Sequence, residues 1–163
     1  MSSQSNLRNY MLVTSSYWAF TVTDGALRML VLLYFHEALH FTPMQIASLF
    51  LFYEIFGVIT NLVGGWIGAR FGLKFTLFAG LAIQILALSG LALKDSGWPV
   101  PLLVAYVMLF QAFSGIAKDL TKMSSKSTVK LLVPEDAEGQ LFKWVAILTG
   151  SKNALNGVGF FVG

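Results

Sequence analysis

The chain has 163 residues, of which 56% are hydrophobic and only 12% charged, with a mean hydropathy of +0.70. An ordinary soluble domain carries about 25% charged residues, and one of this size has no core large enough to hide so much apolar surface, whereas a bilayer solvates it. The absence of cysteine excludes disulfides and thiolate metal sites, and a net charge of +3 is too small and too dispersed for a nucleic-acid partner.

Taken in chain order, five stretches reach the roughly 20 mainly apolar residues that a spanning helix needs. Together they predict an all-α membrane protein with one amino-terminal helical bundle over residues 1–163. The first stretch, Tyr10–Tyr34, follows a short polar segment and contains Asp24 and Arg28 with no small-residue cleavage site, so it reads as a retained span. The second is Pro43–Ala69, with Thr42 as its N-cap and Pro43 at the first helical position. The third, Lys74–Leu93, closes on the polar turn from Lys94 to Gly97. The fourth starts at Val100. The fifth, Glu138–Gly163, is still apolar at its last residue, which predicts a fragment of a longer chain.

Lysine and arginine in the connections set the orientation. Arg8, Arg70, Lys74 and the region from Lys118 to Lys143 fall on one side, against Lys94 with His36, Glu37 and His40 on the other. The amino terminus is therefore expected in the cytoplasm.

The charges inside the spans are the informative residues, because a bilayer excludes them unless they face a bundle interior or a wet cavity. Asp24 and Arg28 stand four apart on one helix face and are expected to pair. They fit either a structural ion pair or a functional one, with Asp24 titrating or Arg28 binding an anion. Glu54, between Tyr53 and the nearby Phe52 and Phe56, is expected to be desolvated. It is a second proton-carrier candidate or a polar contact to another span. Lys118, Lys122, Lys126 and Lys130 recur every four residues, so successive ones turn by about 40° and form one slowly winding stripe. Ser114, Thr121, Ser125 and Thr128 lie close to it. Either the fourth span ends near Ala117 and the stripe lies on anionic headgroups, or it continues to Leu132 and the stripe lines an aqueous cavity. The short Pro134-Glu135-Asp136 connector favours the long helix. In the fifth span Lys152 and Asn156 share a face well inside the membrane. The candidate anion-binding set is thus Arg28, Lys118, Lys122, Lys126, Lys152 and Asn156, with Asp24 and Glu54 as proton carriers.

Tyr17, Trp18, Tyr34, Trp66, Trp98 and Trp144 read as bilayer anchors or packing residues. His36 and His40 have helical metal spacing but no further ligands nearby, so no metal site or cofactor is expected. An enzyme would need a nucleophile–base pair or converging ligands, and none is legible.

Gly64, Gly68 and Gly72 recur every four residues with Gly65 alongside, a small-residue face for a neighbouring backbone. The run Gly65-Trp66-Ile67-Gly68-Ala69-Arg70-Phe71-Gly72-Leu73-Lys74 resembles the loop signature of the major facilitator superfamily, G-x-x-x-D-R-x-G-R-K. Gly65, Arg70, Gly72 and Lys74 match; Ala69 and Leu73 replace an aspartate and an arginine, which puts that loop's latch in doubt.

Longer stretches resemble one branch, the organoarsenical efflux permeases (ArsJ): Thr23-Asp24-Gly25-Ala26-Leu27-Arg28, Leu51-Phe52-Tyr53-Glu54, Ser114-Gly115-Ile116-Ala117-Lys118-Asp119-Leu120 and Gly150-Ser151-Lys152-Asn153-Ala154-Leu155 among them. The resemblance implies a bacterial inner-membrane exporter of twelve spans, of which five would be present. It implies alternating access and, as cargo, 1-arseno-3-phosphoglycerate, made by a glyceraldehyde-3-phosphate dehydrogenase that serves as functional partner. Arsenate resistance would follow. An exchanger or exporter for another organophosphate anion or for a drug is the alternative.

Overall fold

The computed structural model describes residues 3–95, 97–132 and 138–163. The Pro134-Glu135-Asp136 connector and Ser96 lie outside the described residues. The fold is all-helical: α1 (Ser3–Leu33) passes into a π-helical turn (Tyr34–Ala38), followed by α2 (Pro43–Leu49), α3 (Leu51–Phe71), α4 (Leu73–Ala92), α5 (Val100–Leu132) and α6 (Glu138–Val162). Helix α1 begins at Ser3, so the described part of the polar segment expected to precede the first span is already helical.

Local chemistry sets the breaks. Thr42 caps α2 as expected, and Gln45 completes a capping box: the Gln45 backbone N–H donates to Thr42 Oγ1 at 3.4 Å, and the Thr42 N–H donates to Gln45 Oε1 at 2.8 Å. The expected second span is interrupted at Phe50, which caps α2 with its N–H turned back to Ala47 and Ser48 before α3 begins. The α3–α4 turn is a single residue, Gly72, at φ 85°, a backbone conformation that an L side chain resists.

Four segments are long and apolar enough to cross a membrane: Asn6–Ala38, Pro43–Phe71, Leu73–Ala92 and Val100–Leu132. A bilayer is the environment that fits them. The expected fifth span is a helix of 25 residues, but it is not among these four. Lys143, Lys152, Asn153 and Asn156 lower its apolarity. It packs along α1, the face that its glycines fit.

The polarity is inverted relative to a soluble bundle. Leu62, Trp66, Phe75, Phe78, Ile85 and Leu86 point outward, while Thr76, Gln84, Gln111, Ser114, Thr121, Ser124 and Ser125 are buried. Lipid accounts for the first set. The buried hydroxyls and amides act across helix interfaces: Ser114 Oγ donates to Gln84 Oε1 at 2.9 Å, and Ser124 Oγ donates to Thr76 Oγ1 at 2.6 Å. Ser114 and Thr121, expected beside the lysine stripe as donors, therefore serve the contact with α4: Thr121 Oγ1 sits against Gly80. Thr128 Oγ1 donates to its own helix, to the Ser124 carbonyl at 2.7 Å.

Helix α5 is central and touches α1, α3, α4 and α6. Its 33 residues at 1.5 Å rise make it about 50 Å long, more than the ~30 Å hydrocarbon layer. Close approach relies on glycines other than the expected face. A Cβ on Gly115 would fall on the Tyr53 backbone of α3, and one on Gly159 would fall on the Val22 carbonyl of α1. The nearest neighbours of a Cβ at Gly64 are the side chains of Met123 and Leu120, and at Gly68 those of Met123 and Leu73; around Gly65 the space is open. The expectation that these three admit a neighbouring backbone is corrected accordingly.

Two apolar clusters lie toward the two ends of the bundle. One joins Leu27, Val31, Phe35, Ile46, Leu49, Leu91, Leu103 and Val107; the other joins Tyr10, Tyr17, Val129, Leu132 and Leu148. The intramembrane charges lie between them.

Candidate functional site

Between the two clusters is a polar cavity of about 210 Å³, lined by Tyr17, Phe20, Thr21, Asp24 and Arg28 of α1, Glu54 of α3, Lys118 and Lys122 of α5, and Lys152 and Asn156 of α6. A single cavity thus gathers seven of the eight residues expected to bind the anion or carry protons. The exception is Lys126, one turn further along α5. It is half-buried and does not line this cavity, while Lys130 is exposed. The lysine stripe is therefore divided, its first two members inside and its last outside.

The charges interlock around one aromatic ring. Tyr53 is fully buried; its hydroxyl donates to Asp24 Oδ1 at 2.6 Å. The Arg28 guanidinium lies 4.3 Å and the Lys118 ammonium 4.2 Å from its ring centroid. Such cation–π contacts contribute about 0.5–2 kcal/mol each, the larger figure when desolvated. Asp24 and Arg28 pair as expected, Oδ2 to Nε at 3.6 Å. Glu54 joins Arg28 to Lys118: Oε1 accepts from Arg28 Nη2 at 3.3 Å and Oε2 from Lys118 Nζ at 3.3 Å.

Glu54 is not desolvated by its aromatic neighbours. Its side chain is 58% exposed, because Phe52 and Phe56 turn outward and stack on each other at 6.2 Å. Tyr17, expected as a bilayer anchor or packing residue, is buried and lines the cavity. The other aromatic residues do occupy helix contacts and ends: Trp18 Nε1 donates to Ser151 Oγ at 2.7 Å, and Trp144 stacks on Tyr10 at 4.4 Å.

Two neighbours of the candidate site escape sequence reading. Tyr53 does so because nothing local tells which side chains will reach it. Asp119 carries a detectable signal, its i,i+3 spacing to Lys122. It is buried and pairs with Lys122 at 3.4 Å and with Lys118 at 3.9 Å. Lys152 has no acidic partner among the described residues.

The loop-signature residues are far along the chain from this cavity. Arg70 ends α3 with its guanidinium 5.6 Å from the Trp66 ring centroid, Gly72 forms the turn, and Lys74 is exposed in the first turn of α4. His36 is exposed, with Nδ1 3.2 Å from the Phe41 carbonyl oxygen, and His40 is a connecting residue at φ 54°.

The lining has four cationic side chains, Arg28, Lys118, Lys122 and Lys152, against two carboxylates, Asp24 and Glu54. Cations brought together away from bulk water repel strongly unless an anion joins them. Guanidinium and ammonium donors suit carboxylate and phosphate-class oxygens. No family model, no curated protein and no solved structure matches the chain.

Proposed function

We propose that the chain forms part of a secondary transporter that carries a small, multiply charged anion across a membrane. The observation that supports it is the surplus of cations in one polar cavity between two apolar clusters, inside a bundle whose outside is apolar. Intramembrane ionisable groups in such a setting mark solute or ion paths. In this reading Arg28, Lys118, Lys122 and Lys152 bind the anion, Asn156 adds an amide, and Asp24 or Glu54 carries a proton if transport is proton-coupled. The two apolar clusters would open alternately, as in transporters that rock around a midplane site.

The resemblance to organoarsenical efflux permeases narrows the cargo to 1-arseno-3-phosphoglycerate and the direction to export from a bacterial cell across its inner membrane, with the amino terminus in the cytoplasm. Its phosphate and its acyl arsenate, both anionic, together call for several cations. The major facilitator fold belongs to the same proposal. The test is arsenate resistance in cells given the gene together with a glyceraldehyde-3-phosphate dehydrogenase. Resistance should appear with both genes and fall with Lys118→Ala or Lys122→Ala at equal expression. Intact resistance in both variants would remove the lysines from the site.

A second reading, exchange of another organophosphate anion, draws on the same cations, since they do not distinguish arsenate from phosphate esters. Uptake of labelled glycerol 3-phosphate into vesicles without arsenate separates the two.

A further inference from the structure

Three carboxylates touch the cation cluster, and they are held differently. Asp24 is 6% exposed, fixed by the Tyr53 hydroxyl and Arg28; Asp119 is 5% exposed, fixed between Lys118 and Lys122. Glu54 is mostly open to the cavity and, among the described residues, its carboxylate touches only Arg28 and Lys118. Both of those contacts are 3.3 Å, longer than the roughly 2.7–2.9 Å of a tight charge-assisted hydrogen bond. Arg28 and Lys118 do not depend on Glu54 for their places, since the Tyr53 ring, Asp24 and Asp119 also hold them. Glu54 is thus a loosely held carboxylate lying between two firmly held cations.

We infer that Glu54 is a resident counter-anion, which occupies the oxyanion position of the empty site and is displaced when cargo binds. This rests on the anion-transport reading above. The group that takes its place is one oxyanionic end of the cargo, because a carboxylate oxyanion already joins the same two donors there. A second oxyanion of the cargo then falls to Lys122, Lys152 and Asn156, where Lys152 has no acidic partner among the described residues. The site accordingly selects a molecule with an oxyanionic group at each end over one with a single such group. When cargo leaves, Glu54 returns to Arg28 and Lys118, so the emptied cluster is never without an anion. Removing its charge should tighten binding and slow release together.

The experiment uses the full-length protein in lipid nanodiscs, with 3-phosphoglycerate (carboxylate and phosphate) and glycerol 3-phosphate (phosphate only) as probes in titration calorimetry. Arg28→Gln and Lys118→Gln should each weaken 3-phosphoglycerate binding about tenfold or more, as loss of a charge-assisted contact does. Glu54→Gln should tighten 3-phosphoglycerate binding about three- to tenfold, with a smaller gain for glycerol 3-phosphate, and lower exchange in vesicles. Residues 1–163 have no cysteine, so Glu54→Cys, with any cysteine outside them replaced by serine, provides a control within one folded preparation. Attaching an ethylsulfonate to that thiol should return the affinity toward the wild-type value, and attaching a neutral methyl group should not. If the two cation variants weaken binding while Glu54→Gln and the sulfonate leave it unchanged, Glu54 is not a competitor, though the anion site stands. If wild type binds neither probe, or the cation variants bind them unchanged, the anion reading fails and the inference with it.

Discussion

The Tyr53 hydroxyl donates to Asp24 Oδ1 at 2.6 Å, and this bond joins α3 to α1 in the middle of the polar layer. It gives a buried carboxylate a donor besides Arg28, and it places an aromatic face against two cations.

Tyr53→Phe keeps the ring and removes that donor. A hydrogen bond to a charged group contributes about 1.5–3 kcal/mol, so thermal unfolding in detergent should show a loss of that order. Tyr53→Leu should cost more, because both cation–π contacts go as well, at about 0.5–2 kcal/mol each. Equal melting of wild type and Tyr53→Phe would mean that the bond does not hold α3 to α1.

Asp119 separates structure from binding. It is buried and pairs with Lys118 and Lys122, so Asp119→Ala should destabilise the bundle by about 3–5 kcal/mol through unbalanced charge. The double variant Asp119→Asn with Lys122→Gln should recover most of the melting temperature and still lose anion affinity. Recovery of both would show that Lys122 is structural only.

Glycine substitutions should follow tertiary contact and not the four-residue repeat. Gly115→Ala drives a methyl group into the Tyr53 backbone and should cost about 1–3 kcal/mol or more, as overpacking does. Gly65→Ala meets open space and should change stability by about 0.5 kcal/mol or less in either direction, or add up to about 1 kcal/mol of helix propensity. Denaturation of the two variants side by side checks the order.

These contrasts show what is legible in a sequence. Asp24 with Arg28, and Lys118 with Lys122, are local patterns on one helix, so spacing alone places each pair on a shared face. Charge inside an apolar run marks a cavity before any fold is known. Aromatic neighbours in the sequence predict a desolvated Glu54, yet its exposure depends on where Phe52 and Phe56 turn once α3 packs on α5. The glycine repeat was visible, but which glycine meets a backbone is decided by partners such as Tyr53 and Val22, distant in the chain. Ser114 and Thr121 sit close to the lysine stripe by rotation, and the packing of α4 assigns them to its own interface. Helix α6 is legible as a helix, while its lysines and asparagines keep it below the apolarity of the four candidate spans.

The proposed orientation is also open to direct measurement. Cysteines placed at Arg70 and at Lys94 should label from opposite sides of sealed vesicles with a membrane-impermeant thiol reagent, Arg70→Cys from the cytoplasmic face. Labelling of both from one face would contradict the arrangement of spans.

The central claim is that a water-accessible cavity in this bundle holds an anion, and cysteine protection at Asn156 tests it most directly. Asn156 lines the cavity without contributing a charge, and Leu62 on the outer face of α3 is 79% exposed and suited to lipid. In the full-length protein, with any cysteine outside residues 1–163 replaced by serine, Asn156→Cys should react with a water-soluble thiol reagent and be protected by 3-phosphoglycerate, with protection lost when Lys118→Gln is added. Leu62→Cys should stay unreactive in the membrane. An Asn156→Cys that is unreactive, or reactive at a rate that the anion does not change, would contradict the account.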